Sequence, residues 1–234
     1  MSEYYRRNWQ RRPAIQAKAL ENFEIKINQR RDDIIFFVFD RGGELAAFSG
    51  AERISPGRTH FFGFNVNPAM QGSKIGWDMK EASVRFFDEE RKMDNDPIIK
   101  LFGTGNDIEI ECDPVDPKST PVYVEKDGYV ITGISFDFGE DPIFKAVREI
   151  SPQTYYFRGK PKDEVIKYYI ENNMSNKFNE GDDLIVLKFE PGSEEMKKLT
   201  DKLLNREHYR ITSYFFAEDR KVVYCAFERG CNSS

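Results

Sequence analysis

Cysteine is scarce: Cys112, Cys225 and Cys231 are the three in 234 residues, an odd number with no Cys-x-x-Cys spacing. That excludes a disulfide framework and offers a zinc ion no ligand set, so reduced thiols in a cytosolic fold are expected. Histidine is scarcer still. His60 and His208 each lie beside an aromatic residue, apart from any cluster of His, Cys and carboxylate, and read as structural rather than as metal ligands or general bases. No apolar run approaches a membrane span, and no signal-peptide core follows the basic start MSEYYRRNWQRR, so cytosolic synthesis is expected. The sequons at Asn173 and Asn232 are then chance matches. Neither charge sign dominates: 35 basic against 40 acidic residues leave a net of −5, which gives no reason to expect a polyanion partner. Also missing are GxxxxGK[ST], GxSxG, HExxH and DxDxDG, and Gly103-Thr104-Gly105 lacks both the third glycine and the helix of a dinucleotide loop.

Aromatic residues are abundant, with 20 Phe, 11 Tyr and 2 Trp. The chain is organised around Asp33 to Ser49, where Ile34 to Phe39 form an apolar strand, Arg41-Gly42-Gly43 a tight turn, and Leu45 to Phe48 the returning strand. Apolar groups on both faces of such a strand call for cover on both faces. Ahead of it, Ala14 to Leu20 suits a helix after Pro13, and Phe23 to Ile27 alternates as a half-buried strand. Arg58 to Val66 is a further strand. Lys80 to Arg91 fits a strand through Ala82, Val84 and Phe86 and a helix through Glu81, Val84, Arg85 and Glu89, with the strand preferred. Pro97 to Phe102 and Ile108 to Cys112 read as short strands.

Asp-Gly at Asp127-Gly128 predicts a hairpin joining Val122–Val124 to Tyr129–Phe138. Pro142 to Ile150 suits a short helix and Thr154 to Phe157 a strand. Pro161 to Asn172 predicts a helix with Val165, Ile166, Tyr169 and Ile170 on one face. Leu184 to Phe189 is a strand, Ser193 to Asn205 a helix with Ser193 at its N-terminal end, and Arg210 to Phe216 and Val222 to Phe227 a closing strand pair. The fold class expected is α+β and strand-rich, with a β-sandwich core, a projecting N-terminal helical arm (1–20) and several peripheral helices on one domain (21–234).

The arm interleaves Tyr4, Tyr5 and Trp9 with Arg6, Arg7, Arg11 and Arg12, the residue types that dominate interfaces, and reads as a hook onto a neighbouring subunit. A solvated tail and a nucleic-acid contact are the other readings. Tyr155-Tyr156-Phe157-Arg158-Gly159 is similar to the arginine-bearing strand of some ADP-ribosyltransferases, with Glu218 able to stand as a carboxylate, but no serine motif lies between them. Asp88-Glu89-Glu90, Glu140-Asp141 and Asp182-Asp183 read as solvated faces.

Across most of its length the chain resembles the cypovirus polyhedrins. The residues that carry this are the Arg- and aromatic-rich arm, the strand and turn of Ile34 to Phe48, Gly133-Ile134-Ser135-Phe136-Asp137-Phe138 after Lys126-Asp127-Gly128, Ser151-Pro152-Gln153-Thr154-Tyr155 before a helix near Glu164 to Tyr169, and the closing His208-Tyr209, Tyr214, Tyr224, Ala226 and Arg229. The resemblance implies a non-enzymatic viral occlusion protein, forming homotrimers and an intracellular crystal lattice around virus particles in the host cytoplasm. It implies no membrane, no sequence-specific nucleic acid, no required cofactor, and room for a bound nucleotide. It also implies alkaline dissolution: Tyr and Lys ionise near ~10 and ~10.4, and Tyr155, Tyr156, Tyr209, Tyr214 and Tyr224 are the candidate sensors. Two alternatives stand beside it, a soluble nucleotide-binding or ADP-ribosyltransferase-like α+β enzyme and a partner-binding interaction module.

Overall fold

The computed structural model describes residues 15–20, 23–28, 34–41, 44–55, 57–70, 75–76, 107–136, 141–149, 153–172, 174, 176–179 and 181–229. They fall into two compact units, Met1–Ile108 and Glu109–Ser234. The arm residues Tyr4 to Arg12, the Lys80 to Arg91 segment and the Pro97 to Phe102 strand lie outside the described residues.

The N-terminal unit is an antiparallel meander of β1 (Ile15–Leu20), β2 (Phe23–Asn28), β3 (Ile34–Arg41), β4 (Glu44–Ser55) and β5 (Arg58–Val66). β3 lies between β2 and β4, as its two-sided apolar run requires. β1 corrects the helix expected from Ala14 to Leu20. In IQAKAL, Ile15, Ala17 and Ala19 fall at every second position, a strand period, and β2 supplies the antiparallel partner from Leu20↔Phe23 to Ile15↔Asn28. Ala46 and Ala47 are fully buried and pack with Ile75, Val66 and Met70. Asn67 closes the end of β5, donating its backbone N–H to the Ala46 carbonyl at 2.8 Å.

The C-terminal unit is helix on sheet. Its strands are β6 (Asp107–Cys112), which begins at the unit boundary, β7 (Val130–Ser135), β8 (Ile143–Arg148), β9 (Leu184–Phe189), β10 (Arg210–Phe216) and β11 (Val223–Glu228), in the order β6-β8-β7-β10-β11-β9. The helices are α1 (Thr120–Glu125), α2 (Lys162–Asn172) and α3 (Glu194–Asp201), the last running into a π turn at Lys202–Arg206. Ser193 caps α3 by accepting from Met196 N at 3.2 Å. The strand-rich α+β class is what this unit has. Where a second sheet was expected across the core, α2 provides the cover: Val165 and Tyr169 pack with Phe157 on Val186, Phe215 and Ala226.

Three local expectations are corrected here. Val122–Val124 belongs to α1, because Pro121 starts a helical turn, and Gly128 at φ +71° leads out of that helix instead of turning a hairpin. Pro142 to Ile150 contains β8, where burial alternates from Ile143 to Ala146, with Phe144 and Ala146 buried and Ile143 and Lys145 half-buried. Thr154 to Phe157 is irregular, leading into a turn at Arg158-Gly159.

β7 and β10 share one backbone pairing, Ile131↔Ile211. On one side of it the Asn205 side chain accepts from Ile134 N at 3.3 Å and donates to Ile134 O at 2.8 Å, like an extra strand residue. On the other, the Glu125 carboxylate accepts from Tyr214 N at 2.7 Å and from the Ser213 hydroxyl at 2.8 Å. Burial pushes Glu125 above the usual carboxylate range, partly offset by these two hydrogen bonds.

Two outcomes test this account of the fold. In β4, a Cβ on Gly50 would collide with the Phe62 ring. Gly50→Ala should therefore displace that ring and cost about 1–3 kcal/mol in chemical denaturation. Glu125→Ala should cost ~1–3 kcal/mol by orphaning Tyr214 N and the Ser213 hydroxyl, whereas Glu125→Gln keeps an acceptor. A folded pKa above the unfolded value means that this group's contribution is complete below about pH 4.3 and is lost as pH rises through the folded value. Wild type should thus weaken relative to Glu125→Gln between pH 4 and 7, and a difference independent of pH would contradict the assignment.

Candidate functional site

The second unit has a cleft of about 470 Å³ lined by Tyr168, Asn172, Lys177, Phe178, Asn179, Asp182, Asp183 and Leu184. One wall is the face of α2 carrying Tyr168 and Asn172; the other is the approach to β9. Tyr168 projects there because Val165 and Tyr169, on the adjoining strip of the helix, are buried against the sheet. Its ring meets Phe157 edge-on at 5.3 Å.

The β9 approach is held from below. Tyr209, fully buried, donates its hydroxyl to the Asp182 carbonyl at 2.5 Å, and Arg229 N donates to the Asp183 carbonyl at 3.0 Å. Asp182 Oδ2 accepts from Asn179 N at 2.9 Å, which fixes one carboxylate of the cleft, while Asp183 is exposed. Lys202 lies over the Phe178 ring at 5.8 Å. Burial, then the charges of Asp182 and Tyr156, raises the Tyr168 pKa, so this phenol stays protonated and able to donate at neutral pH. The cleft therefore presents two carboxylates, two amides, one phenol, one ammonium and two aromatic rings. Asp182-Asp183, expected to be a solvated face, lines its rim.

The Tyr155 to Gly159 stretch is a joint rather than a catalytic strand. Buried Glu228 at the end of β11 accepts from Tyr156 N at 2.5 Å, Phe157 N at 2.7 Å and the Thr212 hydroxyl at 2.5 Å. Successive N–H groups ahead of a helix make a nest that suits an anion, and here the protein's own carboxylate fills it. Arg158 donates to the Gly128 carbonyl at 2.5 Å and stands 3.7 Å from Glu149, and Lys162 donates to the Phe216 carbonyl at 3.2 Å. Glu218 lies in the β10–β11 turn. The ADP-ribosyltransferase-like reading loses its strand.

The five tyrosines proposed as alkaline sensors fare differently. Tyr155, Tyr209 and Tyr214 are buried within the unit's own core, and Tyr214 donates to the Pro114 carbonyl at 2.5 Å. Burial raises all three: Tyr155 to about 12, Tyr214 well above the ordinary tyrosine value, and Tyr209 against the opposing pull of Arg229. Tyr224 is half-buried, stacked on Phe215 at 5.4 Å, and Tyr156 is 59% exposed. No group of three or more His, Cys, Asp or Glu among the described residues could hold a metal, and His60 and His208 stand apart. Among those residues no helix is long and apolar enough to cross a membrane.

No protein-family model matches the sequence, and no curated protein matches it. Solved structures that it resembles are acetyltransferases. They include ElaA of Escherichia coli (12% identity, 50% of this chain and 69% of that chain, TM-score 0.37) and an IAA acetyltransferase of Bacillus cereus (16%, 50% and 78%, 0.39). A mutant spermidine N-acetyltransferase SpeG of Vibrio cholerae is another (15%, 51% and 67%, 0.39). At TM-scores below 0.5 these partial overlaps assign this chain neither a family nor a substrate. The polyhedrin resemblance is corrected here, and the lattice-forming occlusion protein and the absence of catalysis are withdrawn with it: no family model and no curated protein matches the chain, and the solved structures named above are acetyltransferases. The physical reason lies in the aromatics. Phe144, Phe157, Phe227, Tyr209 and Tyr214, which could have served contacts between copies, are consumed in the interior of one unit.

The raised Tyr155 pKa has a sign that denaturation can read. Stability tied to its protonated form is complete below about pH 10 and is lost as pH rises toward about 12. Tyr155→Phe should lose less stability than wild type between pH 9 and 11, and equal losses would show that Tyr155 ionises as freely folded as unfolded.

Proposed function

We propose that the C-terminal unit is a small-molecule enzyme whose cleft receives a ligand bearing an organic ammonium group. The observation that carries this reading is the lining itself: Asp182 and Asp183 outnumber Lys177, and the Tyr168 ring offers a π face to a cation. The protonated Tyr168 phenol supplies a hydrogen-bond donor at the same opening, and Asn172 and Asn179 can orient neutral polar groups. The cleft volume of about 470 Å³ suits a small metabolite.

A second reading, the nucleotide-binding enzyme, is favoured by a separate feature. Tyr156 is 59% exposed and Lys160 lies 5.4 Å over its ring, so a base could stack on the phenol ring with a phosphate on the ammonium group. Glu228 already occupies the neighbouring backbone nest, which leaves any such phosphate to the side chains.

Calorimetric titration of the full chain with a panel of primary amines, ADP and coenzyme A separates the two. Binding of an amine, weakened about tenfold by Asp183→Asn (~1.4 kcal/mol, one charge-assisted contact) and by Tyr168→Phe, is the expected result. Binding of ADP or coenzyme A alone, abolished by Tyr156→Ala with Lys160→Ala, would transfer the function to the second reading. No binding by any of them at millimolar concentration would end both.

A further inference from the structure

The outer edge of β9 carries backbone groups that are satisfied at one end of the strand and left open at the other. Arg229 N donates to the Asp183 carbonyl at 3.0 Å, which turns residue 183 toward β11, so that Leu184, the next in the antiparallel ladder, turns its N–H and C=O outward. Lys188 has the same orientation at the far end. There Asn176 takes both groups, accepting from Lys188 N at 3.0 Å and donating to Lys188 O at 2.7 Å. No described residue does this for Leu184, which ends the sheet's last strand and lines the cleft.

Two opposite charges stand at the same opening. The Lys177 ammonium and the Asp183 carboxylate line the cleft, yet they form no ion pair or hydrogen bond with each other or with any other described residue. A ligand carrying only an ammonium group would answer Asp183 and be repelled by Lys177. Resting on the amine-binding reading of this cleft, we propose that its ligand is a zwitterion, an α-amino acid held by both charged ends. The ligand carboxylate accepts from Leu184 N and meets Lys177; its ammonium donates to Leu184 O and meets Asp183. One carbon separates the two ends of an α-amino acid, just as one Cα separates the N–H and C=O of a strand residue. The ligand therefore takes at Leu184 the two-point pairing that Asn176 takes at Lys188. A longer peptide strand is disfavoured, because the next outward residue, Val186, is fully buried and Lys188 is already taken.

Calorimetric titration of the full chain with leucine, phenylalanine, lysine and glutamate tests this, each compared with its decarboxylated amine and its N-acetyl derivative. At least one amino acid should bind about tenfold more tightly than its own amine, the effect of one charge-assisted contact, and its N-acetyl derivative should bind more weakly than the amino acid. Lys177→Ala should bring that amino acid down to the affinity of its amine, whereas Lys177→Arg keeps the charge and should keep the advantage. Amines that bind as tightly as their amino acids, or an advantage that survives Lys177→Ala, would overturn the inference and leave the amine-binding cleft standing. Binding of neither class at millimolar concentration would end both.

Discussion

The C-terminal unit depends on a seam where two three-stranded groups meet through one backbone pairing, Ile131↔Ile211. A strand pair that short cannot hold a sheet together by its ladder alone, and the groups beyond the pairing would be left as unpaired edges inside a folded unit. Two side chains take over. Asn205 imitates a strand residue toward Ile134, and Glu125 accepts from β10 at Ser213 and Tyr214. Both come from connections entering strands, the π turn ahead of β10 and the end of α1 ahead of β7, so the loops and the sheet fix each other.

The same economy governs the end of the sheet near the cleft. Glu228 closes β11 by taking the two N–H groups of the Tyr156-Phe157 joint, Arg158 ties that joint to Gly128, and Tyr209 and Arg229 hold the entry to β9. At each of these points a polar side chain meets backbone groups that would otherwise lack partners away from water, which is costly. The result is a stiff frame around an opening whose polar lining, Asn172, Lys177, Asp183 and the Tyr168 phenol, is left facing outward.

Pattern alone determined much of this protein. Ile34 to Phe48 demanded a paired interior strand, Leu184 to Phe189 and Arg210 to Phe216 were legible residue for residue, and Pro161 with Ser193 marked the starts of two helices. Such signals are local, set by side-chain period, a fixed φ or a cap. The misread segments are short, and there period gives way to partner: Ile15 to Leu20 became a strand because β2 lies beside it, Ile143 to Arg148 because β7 does, and Val122 to Glu125 a helix whose Glu125 serves β10. The cleft was invisible for the same reason. Tyr168 and Asp182 are fourteen positions apart with no motif between them, and only the packing of α2 on β9 and β11 brings a phenol to a carboxylate. The aromatic richness that suggested contacts between copies was a matter of composition, and composition cannot say whether a ring faces inward or out; the sheet and its helices decided that by burying Tyr209, Tyr214 and Phe157 and leaving Tyr156 exposed.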